Sequence, residues 1–544
     1  MNRRWIAGAA EGILVFVVVL CVYLFSGSND LRHNGDTDLR YQTTQALVDN
    51  GRAWIADPLW RDTRVATGRG GHLYAFYAPG QSVFMAPLYV LGKVAAHHLH
   101  LPYDTATLYA SRSLDLWLGA LLALTFFALA RSLGYSRAVA AVLTLVFAFA
   151  TVAWPDAQSA LEQTQVDLFL LLATYTVWQF VAGGLRTRSW MAFAGTALGL
   201  CVFTRYDALV YAPIVVLYPL ALRARKHEWP AAVGDASVYL AALAPWLALV
   251  GLWNVWRFGS PFQTGLHEQT LGEPFLQGLT GLLISPGKGL IWYLPLIFLL
   301  PFAAREFYRR SPSVSLFFAA LVALPIIFYP NILYWHGDPS WGPRYLYASI
   351  PYLVLPLGEI LQRWSRLGLT LRGAVIGLVT LSLGLNLAAV SVTQWRFWYR
   401  LMAVQQQTAD ASQWTGQPFH WGSQHYHYYW QPQRSPILEQ FDDVYQVLRL
   451  QVLGDRRYLL TAKPDPYIAT NPADNYSLNT LAFWWADSRH PLFGQRTRIA
   501  LAAILGFIAL ASLVGLIARL RAPPRVRGRR LLELDGVALG RAGS

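Results

Sequence analysis

Residues 5–25 read WIAGAAEGILVFVVVLCVYLF, an apolar run broken by a single acid, Glu11. About 17–25 such residues, wound as a helix, cross the roughly 30 Å hydrocarbon core of a bilayer. A signal peptide has a shorter apolar core and ends at a small-x-small cleavage site. No convincing site of that kind follows Phe25. The run therefore reads as a retained anchor, and this decides the fold class because the rest of the chain repeats it.

The 544 residues are 55% hydrophobic, with a mean hydropathy of +0.32, too apolar for an ordinary soluble protein. About twelve spans are expected, at 5–26, 111–131, 138–154, 165–182, 190–204, 208–222, 233–253, 287–303, 314–330, 346–361, 373–391 and 497–518. The expected fold is an all-α integral membrane bundle with a large first extracytoplasmic loop and an extracytoplasmic segment before the last span. The two cysteines, Cys21 and Cys201, both fall inside spans. That excludes a disulfide framework and a zinc cluster.

The formal charge of +14 invites a nucleic-acid reading, but its distribution argues for topology. The connectors 1–4, 131–137, 183–189, 223–230, 304–313, 362–372 and 519–544 hold 22 of the 44 Lys and Arg. Cytoplasmic connectors carry such an excess, which places both termini inside. The basic tail, RLRAPPRVRGRR, then lies against anionic headgroups of the inner leaflet. Residues 1–391 form the expected membrane core, including a first outer loop at 27–110. An outer segment at 392–496, a last span at 497–518 and the cytoplasmic tail at 519–544 follow. Within the first loop, YAPGQSVFMAPLYVLGKVAAHHL suits a helix starting near Gln81 and lying in the interface. A thirteenth crossing there is the competing reading, and it would invert everything downstream. The outer segment is rich in aromatic and polar residues, as in WGSQHYHYYWQPQ. This suits sugar stacking or a headgroup belt equally.

The chemistry-bearing residues crowd the outer ends. HNGDTDLRYQTTQALVDNG, residues 33–51, offers Asp36 and Asp38. Each is a candidate general base or cation ligand; the plainer role is to cap a helix starting near Leu39. Glu162 and Asp167 flank the start of the fourth span, with Asp156 just before them. Arg205 and Asp207 occupy the turn in FTRYDALV, and Arg257 stands just past the seventh span. Lys288 marks the mouth of the eighth span in SPGKGLIWY. His336, Asp338 and Arg344 precede the tenth. Charges near membrane depth face a cavity or pair together. Cations beside glycine turns also grip phosphate, and the alternative for each is a headgroup anchor. SPGKG is not a phosphate-binding P-loop, since it lacks the first glycine and the hydroxyl residue after lysine.

Taken in order, GDTDLRY, QALVDNG, YAPGQSVFMAPLYVLG, ALEQTQVDLFLLLATY, LGLCVFTRYDALV, WNVWRFGSPFQTG, GLLISPGKGLIWYLP and WGPRYLYASIP resemble the GT-C superfamily of polytopic glycosyltransferases. The branch resembled holds the protein O-mannosyltransferases and lipid A aminoarabinose transferases, and the resemblance covers spans one to eleven. It implies a GT-C-like core and a hexosyl- or pentosyltransferase of the inner membrane. The donor would be a sugar on a polyprenyl-phosphate carrier, and the acceptor an envelope glycan, lipid or protein on the outer face. The family's first-loop acid carries over to Asp36 or Asp38, since the chain reads Asp-Thr-Asp where Asp-Glu is common. The second acidic position matches Glu162, with Asp156 as the alternative. Arg205, Arg344, Lys288 and Arg257 become the candidate phosphate ligands. A divalent cation, if one is used, would sit on Asp36, Asp38 and Glu162. A twelve-span transporter, a polymerase or ligase of lipid-linked glycans, and a membrane scaffold are the competing classes. Transporters show broken helices in matching halves and ionisable groups at mid-membrane; neither pattern is visible here.

Overall fold

The computed structural model describes residues 9–28, 35–56, 64–266, 271–337, 340–397, 429–460, 477–487 and 490–522. Asp338, most of the WGSQHYHYYWQPQ stretch and the tail beyond residue 522 lie outside them. The described chain is helical apart from one antiparallel pair, β1 (Val65–Thr67) and β2 (Leu73–Ala75), in which Ala66 faces Tyr74. It is an integral, multi-pass membrane protein. Among the described residues seven helices are long and apolar enough to cross a bilayer, or eight if a bent pair counts as one span.

The first apolar run folds as α1 (Ala9–Phe25), one of the shorter apolar helices. The loop after it folds as α2 (Gly35–Asn50), the β1–β2 hairpin and α3 (Gly80–Leu99). A helix thus forms where the interfacial one was expected, and among the described residues α3 is not one of the helices that qualify as spans. The chain re-enters through α4 (Tyr103–Arg112) and α5 (Leu114–Ser132), which together run as one 30-residue span. Next, α6 (Arg137–Phe149) and α7 (Ala153–Ser159) meet at a 50° bend. The central layer follows as α8 (Gln163–Ala182), α9 (Ser189–Thr204), α10 (Ala212–Ala224) and α11 (Trp229–Phe258). Helices α5, α8 and α9 are buried along most of their length. By contrast, α11 turns Val233, Leu240, Leu249 and Leu252 outward, the face expected toward lipid.

Two expected spans are not continuous helices. The stretch 287–303 is divided into α13 (Leu290–Tyr293), a 3-10 turn at Pro295–Leu299 and α14 (Leu300–Arg310), preceded by α12 (Phe275–Ile284). Helix α15 (Pro312–Phe328) is regular. The stretch 346–361 breaks into α16 (Ile350–Val354), a 3-10 turn and α17 (Gly358–Gln362). Proline supplies no N–H and clashes with the preceding turn, so Pro295, Pro351 and Pro356 break the ladder. The second stretch is packed inside the bundle, with residues 346–360 buried, while the first is packed on one side only and exposes Trp292, Phe298 and Phe302.

After α18 (Leu369–Ser391) the described outer segment centres on α19 (Pro436–Leu453). Buried Arg396 donates to Asp443 at 2.8 Å, Gln446 at 2.8 Å and Asn479 at 3.0 Å. Trp484 and Trp485 donate their indole N–H groups to the Leu24 and Phe25 carbonyls at 2.8 and 2.9 Å. This ties the segment to the C-terminal end of α1. The last span, α20 (Gln495–Arg521), packs against α1.

Candidate active site at one end of the bundle

The site forms where the first-loop helices press on the C-terminal ends of α7 and α9 and the N-terminal end of α8. Thr37 on α2 and Gln81 on α3 both donate to the Ala160 carbonyl, at 2.9 and 3.0 Å. Ala160 sits at φ 56 in the break between α7 and α8. Ser82 donates to the Arg40 carbonyl at 3.0 Å, fixing α2 on α3. Gly80 permits the closest approach: a Cβ there would lie 2.6 Å from the Thr204 Cα. Arg205 follows immediately, in extended backbone at the end of α9.

Asp36 and Asp38 stand in the first turn of α2, which begins at Gly35, about one turn before the sequence-expected start near Leu39. Neither is therefore the cap of that helix. The Asp36 carboxylate accepts from the Tyr77 hydroxyl at 2.6 Å and pairs with Arg64 at 2.9 Å and Arg344 at 3.6 Å. Burial pushes its carboxyl up, but Arg64, Arg344, Arg40 and the Tyr77 hydroxyl outweigh that and hold it well below the usual carboxylate range. The Tyr77 hydroxyl is pushed well up by burial and by Asp36, so it remains a donor. Asp38 accepts from Gln42 Nε2 at 2.8 Å.

Arg40 is buried, lies over the Tyr77 ring at 3.9 Å and pairs with Glu162 at 2.8 Å. Glu162 flanks the N-terminus of α8, where the helix dipole favours a carboxylate. Its other oxygen is 3.7 Å from Arg205, which also pairs with Asp207 at 2.8 Å. Asp207 in turn accepts from Tyr329 at 3.0 Å. The rings of Tyr345 and Tyr329 lie 5.2 and 5.8 Å from the Arg205 guanidinium. Arg205 and Arg344 line one pocket together with Gln163, Asp167, Tyr211 and Tyr345. Gly337, at φ +68, leaves room for Arg344: a Cβ there would meet its Cγ at 2.6 Å.

The other sequence-expected residues are engaged differently. Arg257 is buried and donates to Tyr206 Oη at 2.8 Å, Asn254 Oδ1 at 2.9 Å and the Ala75 carbonyl. It is absent from the pocket lining and clamps the β2 strand onto the end of α11. Lys288 is buried, donates to the Ser340 carbonyl at 2.6 Å and to Ser340 Oγ at 3.3 Å, and lies 5.3 Å from the Tyr429 ring. Asp156 accepts from Thr164 at 2.7 Å, four residues beyond the bend. Among the described residues no three His, Cys, Asp or Glu side chains converge on a common point. Asp36 and Glu162 instead turn their oxygens to guanidinium groups. This donor set suits an anion bound at the arginines better than a metal held by the carboxylates.

Arg40, Arg64 and Tyr77 were not among the sequence-derived candidates. Arg40 lies four residues after Asp36, and a helix starting at Gly35 puts both on one face. Tyr77 lies beside the Pro-Gly pair that opens α3. Arg64 reaches Asp36 from the first residue of the described hairpin segment, and no local pattern foretells that contact.

Residues 98–257 match the family model described as dolichyl-phosphate-mannose-protein mannosyltransferase. No curated protein sequence matches the chain. The structure is similar to that of ArnT from Cupriavidus metallidurans, solved in the apo state, with 16% identity and a TM-score of 0.45 over 92% of this chain and 76% of ArnT. The same enzyme bound to undecaprenyl phosphate aligns with 15% identity and a TM-score of 0.45, over 92% of this chain and 77% of ArnT. The oligosaccharyltransferase AglB from Archaeoglobus fulgidus, in complex with an inhibitory peptide and a dolichol-phosphate, aligns with 14% identity and a TM-score of 0.43. That alignment covers 80% of this chain and 64% of AglB.

Proposed function

We propose that this chain, a multi-pass membrane glycosyltransferase, moves a sugar from a polyprenyl-phosphate carrier to an acceptor hydroxyl on the extracytoplasmic face of the inner membrane, with both termini cytoplasmic. The observation that carries the reading is Arg344, which lines the pocket with Arg205 and reaches Asp36 at 3.6 Å. A phosphate ligand and a first-loop carboxylate thus meet at one point. The family match over residues 98–257, which include Glu162 and Arg205, supports the same chemistry.

In this reading Asp36 orients the acceptor hydroxyl and takes its proton as the oxygen attacks the anomeric carbon. The bond from that carbon to the carrier phosphate breaks, and the phosphate leaves with the electron pair. Its growing charge is met by Arg205 and Arg344, groups fixed before reaction. Glu162 holds Arg40 and Arg205 in place through its two oxygens. Asp36 is the better candidate base than Asp38 because its partners include a pocket-lining arginine. Lys288 and Arg257 support the walls of the site. The described parts of the segment 392–496 lie on the outer side in this reading and contact the bundle at α1, at the end of α18 and at Pro286.

The test is a transfer assay. Purified protein in lipid nanodiscs is given undecaprenyl-phosphate hexoses and pentoses with delipidated envelope glycan or protein as acceptor. The reading expects free undecaprenyl phosphate and labelled acceptor in equal amounts from at least one donor. Solute uptake into proteoliposomes without any such release would favour a transporter instead.

A further inference from the structure

The pocket shared by Arg205 and Arg344 contains three polar side chains that the transfer chemistry leaves unused. Gln163 and Asp167 lie four residues apart on one face of α8, and Tyr211 joins them from the 3-10 turn after α9. All three are more than nine-tenths buried. Both amide atoms of Gln163 and the hydroxyl of Tyr211 are buried without a hydrogen bond among the described residues. Asp167 takes no part in the ion pairs that engage Asp36, Glu162 and Asp207. One pocket therefore combines phosphate-type cations with a set of uncommitted hydrogen-bonding groups.

Buried polar groups without partners are costly, and they are kept where a ligand or ordered solvent completes them. Here the set is an amide that donates and accepts, a phenol that does both, and a carboxyl group. Ring hydroxyls, which donate and accept at fixed positions, complement it.

We propose that Gln163, Asp167 and Tyr211 form a sugar-recognition subsite that takes the ring hydroxyls of a pyranose or furanose whose anomeric phosphate lies on Arg205 and Arg344. The inference rests on the donor reading above and adds what selects the sugar. Tyr211 sets part of that selection through a single hydroxyl, since its ring is packed among apolar neighbours.

The experiment uses the full-length protein in nanodiscs with two probes. One is bare undecaprenyl phosphate, whose binding is measured by native mass spectrometry. The other is the undecaprenyl-phosphate sugar that gives the fastest turnover, together with its monodeoxy analogues. Gln163→Leu, Asp167→Asn and Tyr211→Phe should each lower kcat/KM for the sugar donor about ten-fold or more. Each should bind bare undecaprenyl phosphate as the wild type does. One monodeoxy donor should be slowed about ten-fold by the wild type and show no further loss in Tyr211→Phe. Wild-type kcat/KM in all three variants overturns the subsite. So does a loss of bare-lipid binding that parallels the loss of turnover in Tyr211→Phe, which would mark a purely structural role. If the wild-type protein neither binds bare undecaprenyl phosphate nor turns over any donor, the donor reading itself fails, and that result is distinct from the other two.

Discussion

Asp36 is held by more positive charge than one carboxylate needs, and that makes its behaviour with pH a sensitive probe. Burial would raise its pKa; Arg64, Arg344, Arg40 and the Tyr77 hydroxyl lower it further than burial raises it. The wild-type base is therefore ionised across the whole working range. Arg64→Ala removes the largest of the opposing influences, so the pKa must rise toward or past the ordinary carboxylate value near 3.9. The acid limb of kcat/KM should move upward in pH, with activity near about pH 7.5 largely kept, as a pH–rate profile would read. An unshifted limb would mean that Asp36 is not the titrating base. Arg205 offers a second residue-scale test. Arg205→Lys keeps the charge but loses the planar fork that grips two oxygens, so partial loss is expected. Arg205→Ala should cost far more in kcat, because charge builds on the leaving phosphate in the transition state. Assays normalised to folded protein would dismiss Arg205 if alanine left the kinetics unchanged. Part of this was legible in the sequence: GDTDLRY marked the carboxylates. The position of the helix start hid Arg40, because starting near Leu39 separates it from Asp36, whereas starting at Gly35 aligns them.

At the scale of elements, the first loop is a clamp built from α2, the hairpin and α3 against the ends of α7, α8, α9 and α11. Arg257 is the pin on the hairpin side. Its guanidinium serves the Ala75 carbonyl, Tyr206 and Asn254, while Tyr206 and Trp253 both donate to the Tyr77 carbonyl at 3.3 Å. Tyr77 then donates to Asp36. Tyr206 also donates to Asn254 at 3.0 Å, so Arg257→Met should strip its donor chiefly from the Ala75 carbonyl, at a cost of about 1–3 kcal/mol. The expected result is a lower melting temperature and a lower kcat, with donor KM per folded molecule unchanged. A selective rise in donor KM would restore the phosphate-ligand role expected from sequence. That expectation rested on position alone: a cation at the mouth of a span binds phosphate, anchors to headgroups or pins a loop. Only the tertiary partners distinguish these. The same limit explains the broken stretches at 287–303 and 346–361. Their hydropathy marks them as spans, but Pro295, Pro351 and Pro356 decide how they cross, and burial inside the bundle lets the second do so.

For the whole molecule, apolar runs made the helical membrane architecture readable, because insertion imposes a length rule on each segment separately; the bias of Lys and Arg speaks to sidedness, which has its own test. Truncation fusions to topology reporters should place residues 72 and 440 outside and residues 185 and 307 inside. A cytoplasmic signal from residue 440 would put the outer segment, and the site it flanks, on the wrong side for an extracytoplasmic acceptor. The convergence of Asp36, Glu162, Arg205 and Arg344 was legible only as a list of candidates, since it joins four chain regions through contacts such as Arg344 to Asp36, 308 residues apart by their numbers. The central claim is that this convergence transfers a sugar from a lipid phosphate with Asp36 as the base. It is tested most directly by single-turnover release of undecaprenyl phosphate from an undecaprenyl-phosphate sugar, in the presence of acceptor, comparing wild-type protein with Asp36→Asn. Asparagine matches aspartate in size but takes up no proton. The account predicts full release by the wild type and a loss of about 100-fold or more in Asp36→Asn, with bare undecaprenyl phosphate still bound. Release at the wild-type rate by Asp36→Asn would contradict it.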